Sequence, residues 1–191
     1  MPGAEIVLVR HGETEWSLSG RHTSRTDLPL TEEGRRRAAR LRDPLADRAF
    51  ALVLSSPLKR ALETCELAGL GHAAVLSDDL REWNYGEYEG LTTPEIREQR
   101  PDWNLWRDGC PGGETPAQVK ARADRALAQL RDVGGDAIAF AHGHILRVLS
   151  GRWIEMEAAA GARLALSPGT ICVLGFERET ELIRLWNEMP R

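Results

Sequence analysis

Two short apolar runs, each leading into a histidine that is followed by glycine, constrain this chain more than any other feature. The first run, residues 5–9, leads into Arg10 and His11, and the second, residues 137–141, leads into His142. Each run has the length and composition of a buried β-strand. Because ligands of open α/β sheets bind beyond the carboxyl ends of the strands, we expect the two histidines to lie at one site.

Strand-like and helix-like segments alternate along the rest of the chain. A helix from 116 to Gly134 is indicated by apolar positions at helical spacing and by a start signal at Thr115. The other predicted segments are strands over 5–9, 51–55, 74–76 and 137–141, helices over 31–48 (broken near Pro44), 58–68, 93–96 and 144–156, and a hairpin of 171–176 and 182–186. This order predicts an α/β fold of three α/β/α layers with a mostly parallel central sheet.

The length of the chain suits one domain, and one segment within it stands apart in composition. With 191 residues the chain can bury a single good-sized core, so residues 1–191 are predicted to form one domain. Residues 77–114 are rich in Gly, Pro, Trp and acidic side chains and are predicted to be an insertion that covers the substrate. Four aromatic residues in it either line a pocket or pack the loops onto the core: Trp83, Tyr85, Trp103 and Trp106.

Charge and cysteine content argue against several classes of function. The formal net charge of -4 gives no support for a nucleic-acid partner. The first apolar run is too short for a signal peptide or a membrane span, so no membrane partner is expected. Three widely spaced cysteines form neither a disulfide framework nor a CxxC metal site. We therefore expect a cytoplasmic protein; a homodimer is compatible with the sequence, which leaves the oligomeric state open.

Five residues, Arg10, His11, Arg60, Glu82 and His142, could together carry out phosphoryl transfer. A neutral His11 can attack phosphorus while the two guanidinium groups hold the phosphate oxygens. A protonated His142 would add a third cation, and Glu82 would protonate the leaving oxygen and then activate water. Taken singly, such residues are more often a core histidine, a solvated arginine or a surface ion pair, so the prediction rests on their combination.

These residues recur in the order of a known family. The stretches that carry the likeness are Leu-Val-Arg-His-Gly-Glu-Thr-Glu-Trp (8–16), Asp-Leu-Pro-Leu-Thr-Glu-Glu-Gly (27–34), Ser-Ser-Pro-Leu-Lys-Arg-Ala-Leu-Glu-Thr (55–64), Leu-Arg-Glu-Trp-Asn-Tyr-Gly-Glu-Tyr-Glu-Gly (80–90) and Ala-His-Gly (141–143). The chain resembles the histidine phosphatase superfamily, also called the phosphoglycerate-mutase-like family, from residue 6 to about 175. Arg-His-Gly alone is a weak signal, whereas the whole set is highly specific.

The resemblance implies a phosphoglycerate-mutase-like fold and a role for each matching residue. His11 would be the phosphorylated nucleophile and Glu82 the proton donor. The phosphate ligands would be Arg10, Arg60, His142 and the backbone N–H of Gly143, and Thr23 would contact the substrate. The family uses no metal and no cofactor, because its cationic side chains hold the phosphate.

Two positions depart from the family pattern. Ser17 occupies a phosphate-binding position where the family usually has Asn, so one phosphate hydrogen bond is expected to be altered or carried by water. Ser24 stands where glycine is common, which leaves the shape of that loop open. The stretches 20–23 and 82–86 are most similar to a branch that contains sugar-bisphosphate phosphatases and broad acid phosphatases.

The resemblance favours a phosphatase over its main alternative, a cofactor-dependent phosphoglycerate mutase. Such mutases carry an insert with paired arginines, whereas residues 90–114 are short here and their arginines are not adjacent. We therefore predict a metal-independent phosphomonoester hydrolase that acts through a phosphohistidine on small phosphorylated metabolites, sugar phosphates and bisphosphates among them. Within this segment, Arg97 or Arg107 could hold a second phosphate or be solvated.

Two further hypotheses stay open at this point. A metallohydrolase could use His142 and His144 with His11 and Asp27 around zinc, although the neighbouring arginines repel a metal ion. A phosphate-binding protein without activity could keep the same fold, although no catalytic residue is missing. Outside that metal hypothesis, the histidines at positions 22, 72 and 144 are assigned no function.

Overall fold

The computed structural model describes residues 3–190 and contains one six-stranded sheet. Its strands are Ile6–Arg10 (β1), Leu52–Ser55 (β2), Ala74–Leu76 (β3), Ala137–Ala141 (β4), Ile171–Glu177 (β5) and Thr180–Glu188 (β6). Its α-helices are Glu15–Ser19 (α1), Glu32–Arg40 (α2), Arg42–Leu45 (α3), Lys59–Leu67 (α4), Thr93–Gln99 (α5), Leu105–Asp108 (α6), Pro116–Arg131 (α7) and Gly143–Trp153 (α8). No helix in this part of the chain is long and apolar enough to cross a membrane.

The sheet is mostly parallel, as predicted. Its order is β3-β2-β4-β1-β5-β6, in which β1, β2, β3 and β4 run parallel and the hairpin β5-β6 is joined to them by the antiparallel pairing of β5 with β1. β1 and β4 are neighbours, and their register pairs Arg10 with Ala141. His11 and His142 therefore leave adjacent strands side by side at the carboxyl edge of the sheet.

Helices cover both faces of the sheet and complete the three layers. Side chains alternate along β1, so that Leu8 packs in one core with α7 and α8, and Val7 packs in the other with α2 and α4. Val119 and Ile145 are representative of the first core, and Cys65 is representative of the second. The predicted α/β/α architecture is confirmed.

Two helix boundaries differ from the sequence-based expectation. The break predicted near Pro44 lies at Leu41, because proline lacks the N–H that would bond the carbonyl of Arg40 and its ring crowds that carbonyl. The short helix α1 was not expected in the polar loop after β1; it begins where Thr14 and Ser17 form a capping box. The predicted start of α7 is confirmed, with Thr115 as its cap.

Residues 77–114 form turns and the two short helices α5 and α6, and they pack onto the face that carries α7 and α8. Trp83 and Trp103 are buried, and their indole N–H groups donate to the carbonyls of Glu114 and Gly109 over 3.0 and 2.9 Å. Both tryptophans therefore pack the segment onto the core. Tyr85, by contrast, is buried and also lines the cleft described next.

Candidate active site

A cleft of about 180 Å³ lies beyond the carboxyl ends of β1 and β4. It is smaller than a typical site for a drug-sized ligand, so it suits a small molecule. Of the residues predicted for the site, those that line the cleft are Arg10, His11, Ser17, Thr23, Glu82 and Gly143. Arg60 and His142 are fully buried and lie directly behind it, with the rings of His11 and His142 5.1 Å apart.

His11 is held as a neutral imidazole with one free nitrogen. Its Nδ1 lies 2.7 Å from the carbonyl oxygen of Gly12, and because a carbonyl only accepts, Nδ1 carries the hydrogen. Burial, together with the charges of Arg60 and Arg10, holds the pKa of His11 well below its usual value. Nε2 therefore keeps its lone pair at neutral pH, which is the state that a nucleophile requires.

The glycine that follows His11 is required by packing. A Cβ at Gly12 would lie 2.7 Å from the carbonyl oxygen of Gly34, closer than any real contact. The N–H of Gly12 also donates to Oγ1 of Thr64, 3.0 Å away, and that hydroxyl donates in turn to the carbonyl of Arg60. The backbone beside His11 is thus tied to α4, the helix that carries Arg60.

Arg60 is fully buried and has no acidic residue within 4 Å in residues 3–190. Its Nη1 and Nη2 donate to the carbonyls of Thr26, Thr23 and Ser24 over 3.1 to 3.3 Å. Its Nε donates to Nδ1 of His142 over 3.2 Å. Burial lowers the pKa of Arg60, although nearby Glu82 opposes this. A buried cation without a bonded carboxylate favours an anionic ligand.

The loop that holds Arg60 is itself held by Glu89. This carboxylate accepts the backbone N–H groups of Ser24 and Thr26, and it also accepts the hydroxyl of Ser24 over 2.7 Å. Ser24 is buried and its φ is not positive, so this loop does not need a glycine there. The replacement of glycine by serine gives the carboxylate an additional donor.

His142 is a neutral hydrogen-bond donor. Because Arg60 donates to its Nδ1, the ring hydrogen lies on Nε2, which donates to Oγ of Ser56 over 2.8 Å. Burial and the charge of Arg60 hold the pKa of His142 well below its usual value. The expectation of a protonated His142 is therefore wrong, because the arginine beside it already supplies the positive charge.

Arg10 has an unsatisfied donor that faces this group of residues. Its Nη1 donates to the carbonyl of Leu166, whereas its Nε is buried and has no hydrogen-bond partner within residues 3–190. Burial lowers the pKa of Arg10. A Cβ at Gly143 would lie 3.3 Å from Cζ of Arg10, so glycine lets the guanidinium lie against the start of α8. As the first residue of that helix, Gly143 has no acceptor for its N–H within the helix.

Glu82 is an ionised carboxylate at the start of α8. It accepts the backbone N–H groups of Trp83, His144 and Ile145 over 2.9 to 3.2 Å. Burial alone raises the pKa of Glu82, but hydrogen bonding to His144 outweighs it and holds the pKa well below its usual value. In the free enzyme the influences that lower the pKa of Glu82 therefore outweigh burial, a balance that the sequence left open.

A family model described as the histidine phosphatase superfamily (branch 1) matches residues 6–189. The chain belongs to this superfamily. An acid phosphatase of Mycobacterium tuberculosis is 44% identical over 176 residues, which cover 90% of this chain and 86% of that protein. The sedoheptulose 1,7-bisphosphatase of Saccharomyces cerevisiae is 37% identical over 182 residues, which cover 78% and 67%.

The structural comparison agrees. The solved structure of open reading frame Rv3214 from Mycobacterium tuberculosis matches with a TM-score of 0.93 and 40% identity, covering 98% of this chain and 99% of that one. The predicted superfamily membership and fold are confirmed. The protein is a phosphatase, an enzyme that hydrolyses phosphate esters, and the relatives favour this over the mutase alternative.

The hydroxyl groups of Ser17 and Thr23, which were predicted to contact the phosphate or the substrate, already donate hydrogen bonds to backbone carbonyls. Oγ of Ser17 donates to the carbonyl of Thr14 and accepts its N–H, both over 2.9 Å. Its single hydrogen is therefore used to cap α1 and is not free for a phosphate oxygen. Oγ1 of Thr23 donates to the carbonyl of Arg21 over 3.1 Å, while its own carbonyl supports Arg60.

Two histidines that the sequence left without a function line the cleft of this phosphatase. Nδ1 of His144 lies 2.6 Å from the hydroxyl of Tyr85 and 3.8 Å from Oε2 of Glu82. The ring of His22 packs on Tyr85 at 4.6 Å, and burial, reinforced by His144, lowers the pKa of His22 to about 4. The only signal for His144 was its place two residues after His142.

Other candidates lie away from the site. Arg97 donates to the carbonyl of Trp103 and Arg107 pairs with Asp108, and neither lines the cleft. Asp27 accepts the N–H of Lys59 over 2.8 Å at the start of α4. Within the described part of the chain, no group of three His, Cys, Asp or Glu side chains is placed to hold a metal ion.

Proposed function

We propose that this phosphatase hydrolyses small phosphomonoesters through a phosphohistidine at His11. One observation carries the proposal: His11 is neutral with Nε2 free, and it is buried near the charges of Arg60 and Arg10, neither of which has a carboxylate oxygen within 4 Å among residues 3–190. A phosphoryl group would supply the missing negative charge. The nucleophile and the cations thus meet where phosphorus would lie.

The first half-reaction transfers the phosphoryl group from the ester oxygen to Nε2 of His11. The P–N bond forms as the P–O bond breaks, while Arg10 and Arg60 hold the oxygens and Glu82 protonates the leaving oxygen. Because Glu82 is ionised in the free enzyme, its proton arrives with a substrate monoanion, and the charge of the bound phosphate favours its transfer to the carboxylate. In the second half-reaction Glu82 takes a proton from water, whose oxygen attacks phosphorus as the P–N bond to His11 breaks. Glu82 then returns that proton to the phosphate, which leaves as the monoanion, and is ionised again.

The substrate class follows from the size and charge of the cleft. The charged side chains that line it are Arg10, Arg21, Arg147 and Glu82. Because the arginines outnumber the carboxylate, small anionic metabolites fit better than neutral esters. The named relatives act on sugar bisphosphates or as acid phosphatases, which supports sugar phosphates and bisphosphates as substrates here. Residues 77–114 would cover the substrate, since they supply Glu82 and Tyr85. Three free, buried cysteines suit a cytoplasmic setting.

Trapping the intermediate tests this mechanism. The protein is mixed with ³²P-labelled p-nitrophenyl phosphate, quenched in alkali, and digested to locate the label. We expect acid-labile label on the peptide that contains His11, and none in His11→Ala. Label on another residue, or rapid turnover by His11→Ala, would contradict the mechanism. Formation of 2-phosphoglycerate from 3-phosphoglycerate faster than inorganic phosphate would instead indicate a mutase.

A further inference from the structure

Three arginines in the described part of the chain are not exposed and yet have no carboxylate within 4 Å: Arg10, Arg60 and Arg147. The first two belong to the phosphate site. The remaining arginines are exposed, like Arg163, or are paired with an acid, like Arg122 with Glu114. Arg147 lines the same cleft, so the third unpaired cation faces the same ligand.

The guanidinium of Arg147 is fixed in place without being neutralised. Its Nε donates to the carbonyl of Gly161 over 2.8 Å and its Nη2 to that of Ala162 over 3.2 Å. Its Cζ lies 4.6 Å from the ring centre of Trp106. An arginine has five N–H donors, so the two bonds leave three for another partner. Little side-chain entropy remains to be lost when an anion binds.

Glu82, the carboxylate whose charge acts on Arg147, already has hydrogen-bond partners of its own. Burial lowers the pKa of Arg147, and Glu82 is the acidic side chain whose charge opposes this. The carboxylate of Glu82, however, accepts three backbone N–H groups and carries the proton of the reaction. No side chain in residues 3–190 therefore balances the charge of Arg147 directly, and an anion that enters with the substrate could do so.

Arg147 lies on the same face of α8 as Gly143, which lines the proposed phosphate site. Gly143 and Arg147 are four residues apart on α8 and therefore share a face, about 6 Å apart along the axis. One segment orients both Arg10 and Arg147, since the carbonyls of Gly161 and Ala162 hold Arg147 and that of Leu166 holds Arg10. A second anionic group on a small metabolite can span this separation.

We propose that Arg147 binds a second anionic group of the substrate, a phosphate or a carboxylate, while the first phosphate is held between Arg10 and Arg60. The proposal rests on the proposed function and narrows it to phosphomonoesters that carry two anionic groups. It assigns the second site to α8, whereas Arg97 and Arg107, which the sequence left as either a second phosphate site or solvated side chains, do not line the cleft.

Matched substrates test this assignment. Fructose 1,6-bisphosphate is compared with fructose 6-phosphate, and 3-phosphoglycerate with glycerol 3-phosphate, so that each pair differs by one anionic group. For the wild type we expect kcat/KM to favour the substrate with two anionic groups in at least one pair, by about ten- to hundredfold. The pair that shows the preference tells whether the second group is phosphate or carboxylate.

Two substitutions of Arg147 then show whether this side chain causes the preference for substrates with two anionic groups. In Arg147→Gln the ratio of the two kcat/KM values in a pair should fall towards one, mainly because KM rises for the substrate with two anionic groups. Arg147→Met keeps the packing on Trp106 and decides if the first variant does not fold. A purely structural role would lower the rates for both members of a pair in proportion and leave their ratio unchanged. Arg163→Gln, at an exposed arginine nearby, should keep the wild-type ratio.

The outcomes separate this proposal from the mechanism. If the wild type turns over p-nitrophenyl phosphate but shows no preference in either pair, or if both Arg147 variants keep the preference, Arg147 is not the second site. If the wild type turns over none of these esters, the proposed phosphohydrolase mechanism itself is wrong.

Discussion

The Nε–H of Arg60 points at Nδ1 of His142, 3.2 Å away. Protonation of that nitrogen would place N–H against N–H beside a fixed positive charge. The contact therefore assigns His142 its neutral tautomer and sends the remaining N–H towards Ser56. His142 is therefore a neutral donor beside His11, whose own neutral tautomer is set by the carbonyl of Gly12.

Arg60→Lys should reduce kcat/KM by about a hundredfold or more. A lysine ammonium cannot reach three carbonyls and His142 together while also holding a phosphate oxygen, because its donors radiate from one atom. Steady-state kinetics with p-nitrophenyl phosphate would measure the loss. Arg40→Lys, at an exposed arginine, should keep the wild-type rate. A rate near wild type in Arg60→Lys would show that the planar guanidinium is not needed.

Glu82→Gln should affect substrates according to their leaving groups. A glutamine cannot donate a proton, so alkyl phosphates should slow by about 10²- to 10⁴-fold, while p-nitrophenyl phosphate, whose leaving group needs no proton, should slow far less. Single-turnover rates for both esters give the comparison. Equal losses for the two esters would show that Glu82 is not the general acid.

Stability should fall as the pH falls below about 6.5. Burial keeps the pKa values of His11, His22 and His142 below that of a free histidine, so the unfolded chain binds protons that the folded chain excludes. Each of these histidines contributes to the free energy of unfolding. The contribution is complete above the pKa in the unfolded chain, and it is lost by about 1.4 kcal/mol per pH unit as the pH falls towards the pKa in the folded chain.

Tm measured between about pH 7.5 and pH 5 would show this loss. His22→Gln should make the fall less steep, because one of the three buried bases is removed. His72→Gln, at an exposed histidine, should leave the slope unchanged. A Tm that stays constant over this range would contradict the neutral state of the buried histidines.

Vanadate should inhibit competitively, with Ki about a hundredfold or more below KM. Its equatorial oxygens resemble those of the transferring phosphoryl group between Arg10 and Arg60, opposite Nε2 of His11. Because arginines supply the positive charge, excess chelator added in the absence of vanadate should leave the rate unchanged. Inhibition that is noncompetitive, or activity lost with the chelator, would be inconsistent with this site.

The sequence was sufficient to predict the sheet and the residues at its carboxyl edge. Local patterns identified β1 and β4, and the family motifs supplied Arg60 and Glu82, which no spacing argument could have placed beside His11. The protonation of His142 could not be predicted, because it depends on burial and on an arginine 82 residues away.

Other features depend on contacts between residues far apart in the sequence, which no local sequence pattern indicates. The bond between Tyr85 and His144 joins residues 59 apart, and the importance of Arg147 follows from the absence of an acid near it rather than from any motif. The shape of the loop at Ser24 could not be predicted from the family pattern, since it comes from a carboxylate 65 residues away.

That carboxylate, Glu89, links residues 77–114 to the loop that holds Arg60. Through Ser24 and Thr26 it positions carbonyls that accept from the guanidinium of Arg60. Chimaeras that import residues 77–114 from another enzyme would therefore also exchange the support of Arg60. Only chimaeras whose imported segment has an acidic residue at the position of Glu89 should be active. A change of specificity through this segment therefore depends on a side chain that lies away from the reacting groups.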